Sequence, residues 1–272
     1  MQLGISSYTY TWSIGVGEQK PSSPLDAHGL LQKAMELGVK LVQLADNIPL
    51  ERWTDEALRE FGQKANDMGI GLEVGGRGLT PERLTQYIRI AKILGSPFLR
   101  FVIDGEDYEP DQETIQNIIK DGLNSLSNAG ILLAIENHDR FLSRELAQFI
   151  HQTNPLQVGI CLDSVNSLGA GEGIQEVLGQ LIPLTINFHI KDFGIKRKDH
   201  QMGFEVFGTP AGEGLLDIPG IIKKLKHFRR CGSCILELWT PPERDIEETV
   251  KKEQAWARQS IAYLQSLGLF EN

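Results

Sequence analysis

The chain has 272 residues, 41% of them hydrophobic and 23% charged, with a net charge of -9, a profile that excludes disordered and fibrous chains. The acidic balance leaves no basic field with which to hold a phosphate backbone or an anionic bilayer, so neither nucleic acid nor membrane is an expected partner. No basic leader precedes an apolar stretch at the N-terminus and no run approaches about 18 apolar residues, so a cytoplasmic protein is expected. The three cysteines do not make a disulfide framework. Cys231 and Cys234 form a C-x-x-C, but Cys234 opens an apolar strand and no second pair follows, which favours packing over redox or metal chemistry.

Short runs rich in Val, Ile, Leu and Phe recur at 3–6, 41–44, 71–74, 98–103, 131–135, 158–162, 185–190 and 234–238. Between them lie stretches of helical period, among them 30–37, 54–68, 81–94, 114–129 and 218–228. Gly38, Gly69, Gly95 and Gly130 each stand just after a helix and just before a strand, the stop signal of an αβ turn. Eight alternating units without a linker predict an α/β protein in which residues 1–272 form a single (β/α)8 TIM-barrel domain. A dinucleotide-binding sheet would want G-x-G-x-x-G after the first strand, and Gly4-Ile5-Ser6-Ser7 does not supply it. The seventh and eighth strands are separated by a long, glycine-rich loop over 193–216, predicted to lie on the C-terminal face where barrel active sites sit.

Alternate strand residues face the same way, so the last four barrel strands can be sorted into faces. Leu133 and Ile135, Ile160 and Leu162, Ile186, Phe188 and Ile190, and Leu236 and Leu238 form an aliphatic face expected to pack on the helices. The opposite, inward face carries Glu136, Asp163, His189 and Glu237 near the C-terminal ends of those strands. Converging carboxylates repel in a partly dehydrated site unless they are protonated or share a cation. A single divalent ion held by Glu136, Asp163, His189 and Glu237 answers this, and an oxygen-rich set with one imidazole suits Mn2+, with Mg2+, Co2+ or Zn2+ as alternatives. Taken one at a time, the same acids could make ordinary salt bridges or helix caps.

The strings Ile135-Glu136-Asn137-His138, Leu162-Asp163-Ser164, His189-Ile190-Lys191-Asp192 and Leu236-Glu237-Leu238, with Gly212-Glu213-Gly214, resemble the xylose-isomerase-like TIM-barrel superfamily of sugar isomerases and epimerases over essentially the whole chain. The resemblance implies one divalent metal on Glu136, Asp163, His189 and Glu237, with Glu136 and Glu237 also acting as acid and base. It also implies homodimers or homotetramers. Two positions depart from the ketose 3-epimerase pattern: Leu142 replaces a substrate-contacting glutamate, and Asn166 replaces the histidine of D-x-x-H. The endonuclease branch carries further histidines on its second and third strands, and this chain has none there. The segments 42–47, 72–78 and 235–242 resemble a sugar-catabolism subgroup that includes 3-oxo-isoapionate decarboxylases.

A metal that chelates a carbonyl and the neighbouring hydroxyl stabilises an enediolate, whether the adjacent carbon loses a proton or a carboxylate. The expected activity is therefore sugar isomerisation or epimerisation, with keto-sugar-acid decarboxylation or keto-inositol dehydration as alternatives on the same site. A carbohydrate-binding barrel without catalysis is the alternative of another class. The expected partner is a small sugar or sugar acid. Candidate substrate contacts are His138, Lys191 and Arg197 as cations, Asn166 as a hydroxyl partner, Asp46 and Arg100 at the barrel mouth, and Trp12 and Trp239 as apolar walls.

Overall fold

The computed structural model describes residues 1–271. Eight parallel strands close a barrel: β1 (Gln2–Ser6), β2 (Leu41–Leu44), β3 (Gly71–Arg77), β4 (Phe98–Val102), β5 (Leu132–Glu136), β6 (Val158–Asp163), β7 (Thr185–Ile190) and, after the intervening hairpin, β10 (Ser233–Leu236), which pairs with both β7 and β1. Around it run α1 (Thr11–Ile14), α2 (Ala27–Leu37), α3 (Asp55–Asp67), α4 (Pro81–Leu94), α5 (Gln112–Ala129), α6 (Ser143–Gln152), α7 (Ile174–Leu181), α8 (Ile218–Phe228) and α9 (Ile246–Ser266). No helix among the described residues is long and apolar enough to cross a membrane.

Local chemistry sets the helix ends. Asp26, Thr54, Thr80 and Asp111 each accept a hydrogen bond from a first-turn amide, filling a donor that the helix itself leaves open. Gly38, Gly95 and Gly130 follow α2, α4 and α5 in the left-handed region at φ 67, 70 and 69°, where a side chain is disfavoured. In α4, Leu84, Tyr87, Ile88, Ala91 and Leu94 repeat at helical spacing and are all buried against the barrel.

Two expectations about the strands change. The alternation expected for β7 places Ile186 outward with Phe188 and Ile190, yet Ile186 packs with Phe98, Ala134 and Cys161 inside the barrel. The pairing of β6 with β7 slips between Ile160 and Cys161, so one residue of β7 lacks an opposite number and the alternation resets above it. The second change concerns 193–216, which is not simply loop. Phe193–Arg197 (β8) and Phe204–Gly208 (β9) form an antiparallel hairpin, with Ile195 opposite Val206 and Lys196 opposite Glu205. At its return, a Cβ on Gly208 would lie 1.8 Å from the Trp239 carbonyl oxygen, so only glycine lets β9 seat on the segment after β10. Asp192 fixes the base of the hairpin by accepting from the Phe193, Gly212, Gly214 and Leu216 amides at 2.9 to 3.1 Å. All three cysteines are free and buried, and Cys234 lies in β10.

Candidate metal and sugar site

Asp163, His189 and Glu237 bring one donor atom each to within 4.8 Å of one another. Glu136 meets the same imidazole from another side: its Oε2 lies 3.5 Å from His189 Nδ1, and Glu237 Oε1 lies 3.4 Å from that nitrogen. All four residues are buried. β5, β6 and β7 position Glu136, Asp163 and His189, whereas β10 ends at Leu236 and Glu237 stands one residue beyond it.

Two buried atoms here lack aligned hydrogen-bond partners, His189 Nδ1 and Asp163 Oδ2. Asp163 Oδ1 is committed, accepting from the Val165 and Asn166 amides at 2.8 and 2.9 Å, which turns Oδ2 inward. The Lys191 ammonium approaches Oδ2 at 2.8 Å and Glu237 Oε2 at 3.1 Å, so it bridges two of the acids. Buried polar atoms are rarely left without partners, and His189 Nδ1, between the Glu136 and Glu237 carboxylates, has none. An imidazole nitrogen and three carboxylates are a donor set that a divalent ion fits.

The charges around that point set its titration. Burial works to raise the Glu237 carboxyl, but positive charge around it, the Lys191 ammonium and the Arg100 guanidinium above all, outweighs that and holds the group down at about 2. Burial disfavours the Lys191 ammonium, yet Asp163, Glu237 and Glu136 keep it charged far above neutrality. Burial and the Glu136 charge push the Cys161 thiol well up, so beneath the site it remains a neutral SH.

The eight expected substrate contacts fall into three groups. Lys191, Asn166, His138, Trp12 and Trp239 line a cavity of about 790 Å3 above the acids. Trp12 is fixed there by its indole N–H on the Thr240 carbonyl at 2.9 Å, and Asn166 Nδ2 donates to Glu136 Oε1 at 3.0 Å. Asp46 and Arg100 instead stand behind the acids. The Arg100 guanidinium bonds Glu136 Oε2 through Nε and Asp46 Oδ1 at 3.0 Å through Nη1, and Tyr8 Oη donates to Asp46 Oδ2 at 3.0 Å. Arg100 is only 3% exposed, so it braces Glu136 rather than facing the cavity. A Cβ on Gly75 would lie 2.9 Å from Arg100 Cδ, so the glycine makes room for that brace. The structure does not bring Arg197 to the cavity: it stacks over Phe204 on the hairpin and donates to the Gln201 carbonyl at 2.9 Å. Residues 195 and 197 share a strand face, whereas Glu205 and Phe207, on the opposite face, line the cavity together with Val206.

Sequence reasoning passed over the residues beneath the acids. Gln43 on β2, Glu73 on β3 and Asn187 on β7 are buried inside the barrel, and Ser6 Oγ donates to Glu237 Oε1 at 3.0 Å. Their signal is a lone polar residue in an apolar strand, and it becomes visible once parity is applied to β1, β2 and β3 as well as to the later strands.

The likeness to known proteins follows the same architecture. Over 272 residues the chain is 29% identical to a 3-oxo-isoapionate decarboxylase of Pectobacterium atrosepticum, spanning 100% of this chain and 98% of that one. Among solved structures, a D-psicose 3-epimerase with D-tagatose from Clostridium cellulolyticum superposes with a TM-score of 0.73 at 16% identity, covering 98% of each chain. A xylose isomerase-like TIM-barrel protein from Mycobacterium smegmatis in complex with magnesium gives 0.71 at 13% identity, covering 96% of this chain and 97% of the other. At these identities the two structures speak to the fold alone. Residues 31–267 match the family described as xylose isomerase-like TIM barrel, and the chain belongs to that family.

Proposed function

We propose that this chain is a divalent-metal-dependent enzyme that isomerises or epimerises a small ketose or sugar derivative through an enediolate. The observation that carries the reading is the partnerless His189 Nδ1, buried between the Glu136 and Glu237 carboxylates, whose partners Asn166 and Lys191 line the cavity walled by Trp12 and Trp239. Charge agrees with it. Among the described residues, Glu136, Asp163, Glu237 and Asp46 face only Arg100 and Lys191 as fixed cations, a deficit that one divalent ion would fill.

Glu136, Asp163, His189 and Glu237 would hold the ion, with Mn2+ the first choice for such donors and Mg2+, Co2+ or Zn2+ as alternatives. When bound, it supplies positive charge to the oxygens of the developing enediolate. Arg100 and Asn166 hold the two oxygens of Glu136 and fix the direction from which that carboxylate takes or returns a proton. Ser6 and Lys191 do the same for Glu237. Trp12 and Trp239 offer apolar faces to the sugar ring and exclude water, and Asn166 and His138 supply hydrogen-bonding groups at the rim. Three free thiols suit a cytoplasmic setting.

Decarboxylation of a keto-sugar acid is the second reading. It is favoured by the full-length likeness to a decarboxylase and by the Lys191 ammonium at the cavity floor, a group suited to a carboxylate. Metal analysis tests the shared part: a stoichiometric divalent ion supports it, and a folded, active protein free of metal would end it. Incubation of ketoses and keto-sugar acids in heavy water, followed by NMR, separates the two chemistries. Deuterium at an unchanged carbon count marks proton transfer, and CO2 release marks decarboxylation.

A further inference from the structure

We infer that Gln43 and Glu73 are positioning residues that dictate which ring nitrogen His189 presents to the metal, a statement that rests on the metal reading above. Neither residue touches the cavity, and both are buried inside the barrel. Their hydrogen bonds run in one direction. The Gln43 amide nitrogen donates to Glu73 Oε2 at 3.0 Å and to Asn187 Oδ1 at 3.1 Å, so both of its protons are used on oxygens. Asn187 is oriented to match: its Nδ2 donates to Ser233 Oγ at 2.8 Å and faces the Ser233 carbonyl oxygen, which can only accept, at 3.5 Å, leaving Oδ1 toward Gln43.

With the Gln43 nitrogen committed, its Oε1 is the atom left to face His189, and at 2.7 Å it is the nearer neighbour of His189 Nε2, with the Cys161 sulfur at 3.2 Å. An amide oxygen can only accept, so Nε2 carries the proton and Nδ1 is a bare lone pair. That lone pair is the buried atom without a partner, directed at the point where the carboxylates converge. Flipping the Gln43 amide would set its oxygen against Glu73 and Asn187 and its NH2 against Nε2, which drives the proton to Nδ1. The Glu136 and Glu237 carboxylates, 3.5 and 3.4 Å away, would then retain that proton in the position a metal needs. Glu73 thus holds the amide, the amide holds the ring, and the ring offers one nitrogen. Groups that orient a metal-bound histidine in this way typically govern affinity about 10- to 100-fold.

Long-range 1H–15N NMR of histidine-labelled, metal-free protein at about pH 8 reads the tautomer directly, with the His189 signal identified by its loss in His189→Gln. The wild type is expected to show the proton on Nε2. Gln43→Met is expected to move it toward Nδ1 and to weaken Mn2+ binding about 10- to 100-fold by calorimetry. Glu73→Met is expected to act in the same direction, while Glu73→Gln, which keeps an acceptor oxygen, restores both tautomer and affinity to within about threefold. That rescue distinguishes orientation from loss of packing. A wild-type proton on Nδ1 overturns the inference, as does a folded Gln43→Met protein that binds Mn2+ like the wild type. If the wild type binds no divalent ion yet carries the Nε2 proton, and Gln43→Met shifts it, the relay stands and the metal reading fails.

Discussion

Near the N-terminal ends of β4, β5 and β7 the barrel interior is filled by Phe98, Leu132, Ala134 and Ile186, while toward the C-terminal ends of the strands stand Arg100, Glu136, Asp163 and His189. The two layers share a scaffold and have opposite chemistry. Apolar contact in the lower layer stabilises the fold, at roughly 1.5–3 kcal/mol for each large side chain removed from water. Buried acids in the upper layer repel one another, and Arg100, Lys191 and the Asn166 amide only partly offset this, leaving His189 Nδ1 without a partner between two carboxylates. The difference teaches that one layer serves stability and the other, on the proposed reading, serves binding. Variants should therefore separate the two properties.

The largest separation is expected at Glu237. Glu237→Gln should lower kcat/KM about 10,000-fold, roughly 5 kcal/mol of transition-state stabilisation, because the amide neither ligates strongly nor carries a proton. The same change also removes a buried charge that Lys191 and Arg100 favour, so the metal-free protein should melt slightly below the wild type, a loss far smaller than the loss of activity. A variant that melts well below the wild type would show that the upper layer is also a stability element. The reverse experiment is Phe98→Ala. It should cost about 3–5 kcal/mol in urea unfolding through the lost transfer energy and the cavity left behind, with Mn2+ affinity kept to within about threefold.

Half of this contrast could be read before the fold was known. Strand parity sufficed to put Glu136, Asp163, His189 and Glu237 on the inward side because each follows a run of outward aliphatic residues, and period-2 geometry does not depend on long-range contacts. It misplaced Ile186, since a one-residue slip of β7 against β6 is set by how neighbouring strands meet. Gly159 shows why: a Cβ there would lie 2.6 Å from Ile186 Cδ1, so the space Ile186 fills exists only once both strands are assembled. Arg197 carries the same lesson, because the sequence 193–216 shows glycines and a basic run but not the strand pairing that turns residue 197 away from the cavity. Gln43 and Glu73 were within reach of the same parity argument, since each is the one strongly polar residue in the apolar core of its strand.

A smaller effect sharpens the comparison by adding metal to both variants. At a free Mn2+ concentration of about 100 times Kd, binding to the native state alone should add about 2.7 kcal/mol to the wild type. Phe98→Ala should gain the same increment on its lower baseline, and Glu237→Gln should gain little. Equal increments in all three proteins would place the ion away from Glu237.

The smallest effect is in the pH profile, where Glu237 can be set against a buried acid outside the barrel. Glu253 on α9 anchors Trp12 and Ser13 by accepting from their amides at 2.8 and 2.9 Å and from Ser13 Oγ at 2.7 Å. Burial pushes it up to about 7 from an ordinary 4.5, and those hydrogen bonds only moderate the rise. Its native state therefore holds a proton that the unfolded chain releases, and the associated stability, full below about 4.5, is lost as pH climbs through about 7. Glu237, held at about 2, works in the opposite sense: its contribution is present above about 4.5 and is lost as pH falls toward 2. Unfolding free energies in urea at several pH values should show both limbs. Glu253→Gln should flatten only the limb between about pH 5 and 7, with a remainder from Glu73, which burial also lifts to about 7. The variant should also be less stable at every pH, by about 1–3 kcal/mol, because an amide offers one oxygen to donors that now share two. An unchanged slope in Glu253→Gln would mean that the Trp12 and Ser13 donors fully offset the burial. Three aligned hydrogen bonds would then suffice to keep a buried carboxylate ionised where the barrel mouth relies on cations.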